Sequence, residues 1–151
     1  MQQVRAAGNN VAASLAHAGA MLGVHVRVAS PAGYELPAAV ADACRAVARY
    51  GATIEVTTNV QRAVTGADAV YTDVWASMGQ ESQADDRART FAPYQVNDEL
   101  MTLARPGALF MHCLPAHRGE EVTAEVFESA ASVVFRSEEH TSELQSPYVI
   151  S

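Results

Sequence analysis

The sequence predicts an α/β fold: a doubly wound, Rossmann-like parallel sheet flanked by helices. Three observations predict it. Short β-branched or apolar runs alternate with stretches of helical periodicity, the pattern of successive βαβ units. At 151 residues the chain is about one domain long and can bury a real core. The apolar run Ala108-Leu109-Phe110-Met111 leads straight into His112-Cys113 before Pro115 stops it, because proline cannot donate to a sheet ladder. A buried strand delivering two reactive side chains at its carboxyl end suits an open α/β sheet, where ligands bind outside those ends. The spacing alone favours a core cysteine and a strand-end histidine without chemistry, since free cysteine is among the most buried residue types.

Each element has its own signal. Residues 1–7 hold Val4 as their only strand former, so a first strand here is expected to be degenerate or cut short. Asn9 or Asn10 caps a helix whose apolar positions Val11, Leu15, Ala18 and Leu22 follow helical spacing, and Gly23 ends it. Val24–Ala29 alternates as a strand, and Ser30-Pro31-Ala32-Gly33 is a turn. Leu36–Tyr50 reads as an Ala-rich helix with a core stripe of Val40, Ala43, Cys44, Val47 and Ala48, closed by Gly51. Thr53–Thr57 is a strand, Val60–Val64 a short helix and Ala69–Asp73 the next strand. The polar run Gln80–Arg89 reads as a solvated, partly helical face. After a connector containing Pro93, Asn97 caps a helix to Ala104. Arg105-Pro106-Gly107 stops it before the Ala108–Met111 strand. Thr123, Val126 and Phe127 mark a short helix, and Ser132–Phe135 a last strand.

Composition narrows the function classes. Apolar residues make up 49% and charged residues 18%, ordinary for a globular domain. A net charge of −7 argues against nucleic acid as a partner, since phosphate binding needs basic surface. No apolar run is long enough to suggest a transmembrane helix, and Met1–Arg5 lacks the apolar core of a signal peptide. Cys44 and Cys113 are read as reduced thiols of a cytoplasmic protein, Cys44 as plain packing on its helix stripe. His17 and His25 have no nearby ligand partners, so no metal site is expected.

His112-Cys113-Leu114-Pro115 resembles the His-Cys-Leu-Pro signature of the ornithine carbamoyltransferases. Upstream, Asp73-Val74-Trp75-Ala76-Ser77-Met78-Gly79 is similar to that family's ornithine loop, and Gly8-Asn9-Asn10-Val11 to the turn that opens its helix. The three stand in the family's order. The resemblance covers roughly Gly8 to Phe135, the second, ornithine-binding half of such an enzyme. It implies carbamoyl transfer from carbamoyl phosphate to the side-chain amine of L-ornithine, giving citrulline and phosphate, with no cofactor. It also implies roles. Asp73 binds the ammonium; Asn9, Asn10, Ser77 and Met78 hold the amino-acid end. Cys113 orders the amine and helps to deprotonate it, without forming a covalent bond. His112 polarises the carbamoyl oxygen as a donor, and the Leu114 backbone accepts from the amine. Apart from the resemblance, Trp75 and Met78 fit plain packing, while Gly79 as a hinge and the polar run after it fit a loop that closes over substrate.

By the same resemblance, a first domain that holds carbamoyl phosphate stands outside this chain, and the parent enzyme is typically a cytoplasmic homotrimer of arginine metabolism. The chain alone is expected to be an inactive, truncated fragment. Two other readings compete. One is a sibling transferase acting on another amine such as putrescine; Ser77-Met78-Gly79 favours ornithine, whose carboxylate and α-amine must also be held. The other is a non-catalytic Rossmann-like small-molecule-binding module; Gly8-Asn9-Asn10 lacks the phosphate-cradling glycine pattern. The domain is expected to span residues 1–135. Residues 136–151 break the pattern: 136–146 resembles the in-frame translation of a short-read sequencing adapter. That tail is read as foreign to the domain and expected to be disordered, since it has little apolar area to bury. His140 and Glu143 within it are too weak a set for a metal site.

Overall fold

Five parallel strands form one sheet in the order β3-β2-β1-β4-β5. They are β1 (Gln2–Ala6), β2 (His25–Ala29), β3 (Ile54–Thr57), β4 (Ala69–Thr72) and β5 (Leu109–His112). The computed structural model describes residues 2–6, 10–75 and 84–135. Asn9, Ser77, Met78 and the tail 136–151 lie outside the described residues.

β1 sits at the centre of the sheet, pairing Val4 with Arg27 of β2 on one side and with Val70 of β4 on the other. Its poor strand composition is offset by two full ladders, because backbone groups and not side chains make the pairing. The chain runs outward from β1 to β3, then crosses back to place β4 on the other side of β1. Right-handed crossovers put the helices of the two halves on opposite faces. α1 (Asn10–Met21) and α2 (Ala38–Ala46) cover one face, with Ala12, Ala16, Val26, Val28, Cys44 and Ile54 buried between them and the sheet. α3 (Val60–Val64), α5 (Asp98–Thr102) and α6 (Ala124–Phe127) cover the other, over Val64, Val70, Leu100, Phe110, Val122 and Phe127. α4 (Ala84–Phe91) leads into a 3-10 turn at Ala92–Tyr94.

Asn97 caps its helix as expected, and Asn59 and Thr123 start two more in the same way. The side chains of Asn59, Asn97 and Thr123 accept from the amides of Arg62, Leu100 and Val126, starting α3, α5 and α6. The turn after β2 closes with the Tyr34 amide donating to the Pro31 carbonyl at 3.0 Å, and Gly33 takes the positive φ that it requires.

Three expectations are corrected. α1 does not bury Val11, Leu15, Ala18 and Leu22; its buried residues are Ala12, Ala16, Gly19 and Ala20, and Leu22 is 74% exposed. The helix lies too close to β2 for large side chains: a Cβ on Gly19 would meet Val26 Cγ2 at 2.7 Å. α2 ends at Ala46, short of Tyr50, where the chain turns with Tyr50 at positive φ; Ala43 is exposed rather than in the stripe. Ser132–Phe135 is not a strand. It touches β5 through a single Phe110–Ser132 bridge, after which Val134 turns into the core.

Candidate functional site

The strand order reverses between β1 and β4, so the sheet's switch point lies at their carboxyl ends. Asn10 opens α1 just beyond β1, and Asp73 directly follows β4. β5 neighbours β4 in a register that pairs Thr72 with His112. The next residues out, Asp73 and Cys113, therefore emerge side by side. Cys113 Sγ donates to Asp73 Oδ1 at 2.9 Å, and the Val74 amide donates to the same oxygen at 2.8 Å. Asp73 is buried while Cys113 is exposed. At that separation a proton must lie between sulfur and oxygen, because two bare anions would repel strongly. A carboxylate beside a thiol at an open strand end can hold an ammonium group and take part in moving its proton.

His112 occupies a different place from the one expected. Within β5 it shares a face with Phe110, since strand side chains alternate, and that face looks into the core. Its side chain has no exposed surface, and neither does that of Glu121. The Leu114 amide donates to His112 Nδ1 at 2.8 Å, and His112 Nε2 lies 3.1 Å from Glu121 Oε1. Nδ1 thus carries no proton, Nε2 does, and both ring nitrogens are engaged within the chain. The expected role of His112, as donor to a carbamoyl oxygen, is not among these contacts, which engage both ring nitrogens within the chain. Glu121 Oε1 also accepts from the His117 amide at 2.6 Å. Glu121 was not singled out in the sequence, where it is one of two adjacent glutamates in a polar loop. No local pattern tells the buried one from the exposed one.

Beyond Asp73, Trp75 packs with Phe91 and Tyr34 in a small aromatic cluster. Arg87 Nη1 donates to the Trp75 carbonyl at 3.1 Å, and its guanidinium lies 5.4 Å from the Tyr34 ring centroid. These contacts tie α4 to the segment before residue 76, so both flanks of the residues 76–83 are anchored to each other. On the other side of Cys113, a cleft of about 590 Å³ is lined by Cys113, Leu114, Pro115, Ala116, Arg118 and Phe127. Arg118 is paired with Glu128 at 2.7 Å and stacked over Phe127 at 4.7 Å. A second cleft, at the amino end of β5 around Met101, Arg105 and Leu109, lies at the opposite edge of the sheet. Among the described residues, His117, Glu120 and Glu121 bring donor atoms within 4.8 Å of one another. Glu121 Oε1 is already committed to two N–H groups and the other two side chains are exposed, so the cluster is read as loop hydrogen bonding.

The family model for the aspartate/ornithine carbamoyltransferase Asp/Orn-binding domain matches residues 4–146. The chain belongs to this family. As an Asp/Orn-binding domain it is 60% identical to the ornithine carbamoyltransferase of Symbiobacterium thermophilum over 134 residues, covering 88% of this chain and 43% of that protein. It is 46% identical to the Nostoc enzyme of the same name over 144 residues, covering 95% of this chain and 47% of that one. Among solved structures, the ornithine carbamoyltransferase from Pyrococcus furiosus superposes with a TM-score of 0.85 at 48% identity, over 91% of this chain and 44% of that one. The α/β fold is therefore the fold of those enzymes, and the chain spans under half the length of the curated relatives it matches. No helix among the described residues is long and apolar enough to cross a membrane.

Proposed function

We propose that this domain is the ornithine half of an ornithine carbamoyltransferase. Its partner is a domain, outside this chain, that holds carbamoyl phosphate. In the reaction the side-chain amine of L-ornithine attacks the carbamoyl carbon, the bond from that carbon to the phosphate oxygen breaks, and the amine gives up a proton. The products are citrulline and phosphate. The observation that carries the reading is the Asp73–Cys113 pair, set 2.9 Å apart at the ends of neighbouring strands beside the switch point, in a chain 60% identical to an enzyme of that name.

Asp73 is the carboxylate for the substrate ammonium, and Cys113 orders the amine and helps to move its proton. The Leu114 carbonyl accepts from the amine. Asn10, with Asn9, Ser77 and Met78, holds the α-amine and carboxylate. This division favours ornithine over putrescine, which has no carboxylate to bind. The cytoplasm and a homotrimer are the setting that the reading carries with it.

Asp73→Asn in the full-length enzyme tests it. Removing a charged hydrogen bond of about 1.5–3 kcal/mol should raise KM for ornithine by roughly 10- to 150-fold. Unchanged binding and rate in the folded variant would sink the reading. Faster turnover of putrescine than of ornithine by the unaltered enzyme would replace it with the sibling activity.

A further inference from the structure

One carboxylate oxygen straps the signature loop at both ends. Glu121 Oε1 accepts from His112 Nε2 at 3.1 Å, where the loop begins, and from the His117 amide at 2.6 Å, where it ends. Between them the Leu114 amide folds back onto His112 Nδ1, and Leu114 takes a φ of 52°, a conformation that costs a branched side chain and needs support. Glu121 is itself fixed from behind. Its carbonyl accepts from the Val96 amide at 2.9 Å, the Gln95 side chain donates to the carbonyls of Gly119 and Glu120, and Val122 beside it is fully buried. The side chains of His112 and Glu121 have no exposed surface, so neither touches a ligand in this arrangement.

We propose that Glu121 is a positioning residue that acts through His112. Its carboxylate holds the proton of the imidazole on Nε2. That leaves Nδ1 bare, and only a bare Nδ1 can accept the Leu114 amide. The Leu114 amide in turn fixes the backbone that carries the Cys113 thiol to Asp73 and sets the Leu114 carbonyl. The chain of command is Glu121 to His112 to Leu114, with only the last stage reaching substrate. This rests on the carbamoyltransferase reading for its kinetic consequence, though not for the hydrogen-bond order itself.

The test uses the full-length enzyme and reads two things: the 15N signals of the His112 ring, assigned by their loss in His112→Gln, and steady-state kinetics. In the unaltered enzyme His112 should show a protonated Nε2 and a bare Nδ1. Glu121→Gln retains a carbonyl oxygen that accepts both bonds, so it should keep that tautomer and a kcat within about threefold. Glu121→Leu should lose the single tautomer and lower kcat by about 10- to 100-fold, as loss of an outer-shell partner does at other sites. A ring protonated on Nδ1 in the unaltered enzyme overturns the proposal. So does Glu121→Gln with the tautomer kept and kcat down by more than tenfold, since the charge would then act by another route. If Glu121→Leu does not fold, the spectrum of the unaltered enzyme and the Gln variant decide. If the unaltered enzyme makes no citrulline, the functional reading falls, while the ring spectrum still judges the role of Glu121.

Discussion

The two thiols of this domain show how position, not residue type, assigns a role. Cys113 stands exposed at a strand end with its proton directed to Asp73, whereas Cys44 is fully buried on the inner face of α2. Burial pushes the Cys44 thiol up from its ordinary value of 9.0, with the nearby Arg45 charge partly opposing. A raised thiol keeps its proton in the folded state after the unfolded chain has lost it. Stability therefore falls as pH rises past 9.0, because above it the native state binds more protons than the unfolded one. Cys44→Ala should cost about 1 kcal/mol at neutral pH from lost packing. That gap should narrow above pH 9.0, where only the unaltered protein loses stability, as its thiol ionises in the unfolded chain but stays protonated in the fold. Denaturant midpoints across that range measure it, and a gap that stays constant would remove Cys44 as the cause. At this same scale His112 shows what the sequence could have said. Alternation from Phe110 places it on the core face, so its burial was legible from a period of two, and the motif's resemblance to a catalytic signature hid it. Glu121 was not legible, because its partner lies nine residues away and the loop between them obeys no period.

At the scale of elements, patterning was reliable where side chains of ordinary size face an ordinary gap. The caps Asn59, Asn97 and Thr123, the short helices and four of the strands follow from local signals. It failed where backbone proximity decides. In α1 the large apolar residues were expected inward, yet Ala12, Ala16 and Gly19 face β2 because only small residues fit there. The central β1 is specified by its neighbours' ladders rather than by its own composition. Gly19→Ala exposes this competition. Helix propensity alone would favour alanine by about 1 kcal/mol. The new Cβ would stand 2.7 Å from a methyl of Val26, a short branched side chain with no room to swing away. Overpacking of that kind costs about 1–3 kcal/mol, so the balance is a net loss of up to about 2 kcal/mol. Thermal unfolding should show a lower midpoint. A higher one would mean that α1 can lift from the sheet freely, and that its small-residue face is not what sets the spacing.

At the scale of the whole molecule, topology brings the reactive groups together and charge limits what they can do unaided. The order β3-β2-β1-β4-β5 places Asn10, Asp73 and Cys113 at one edge, although they stand far apart in sequence. That edge suits a cationic amine. Its buried acids, Asp73 and Glu121, and a net charge of −7 make it a poor receptor for a doubly negative phosphate donor. Arg118, the cation lining the adjoining cleft, is already paired with Glu128 and stacked on Phe127. On the carbamoyltransferase reading, the basic groups for carbamoyl phosphate and its departing phosphate are therefore expected from the partner domain rather than from this cleft. Purified alone, the 151-residue chain should form no citrulline from ornithine and carbamoyl phosphate. The same site joined to a carbamoyl-phosphate domain should do so, because holding both reactants together can supply about 7–11 kcal/mol of the barrier. Turnover by the isolated chain would show that these residues bind the phosphate donor by themselves.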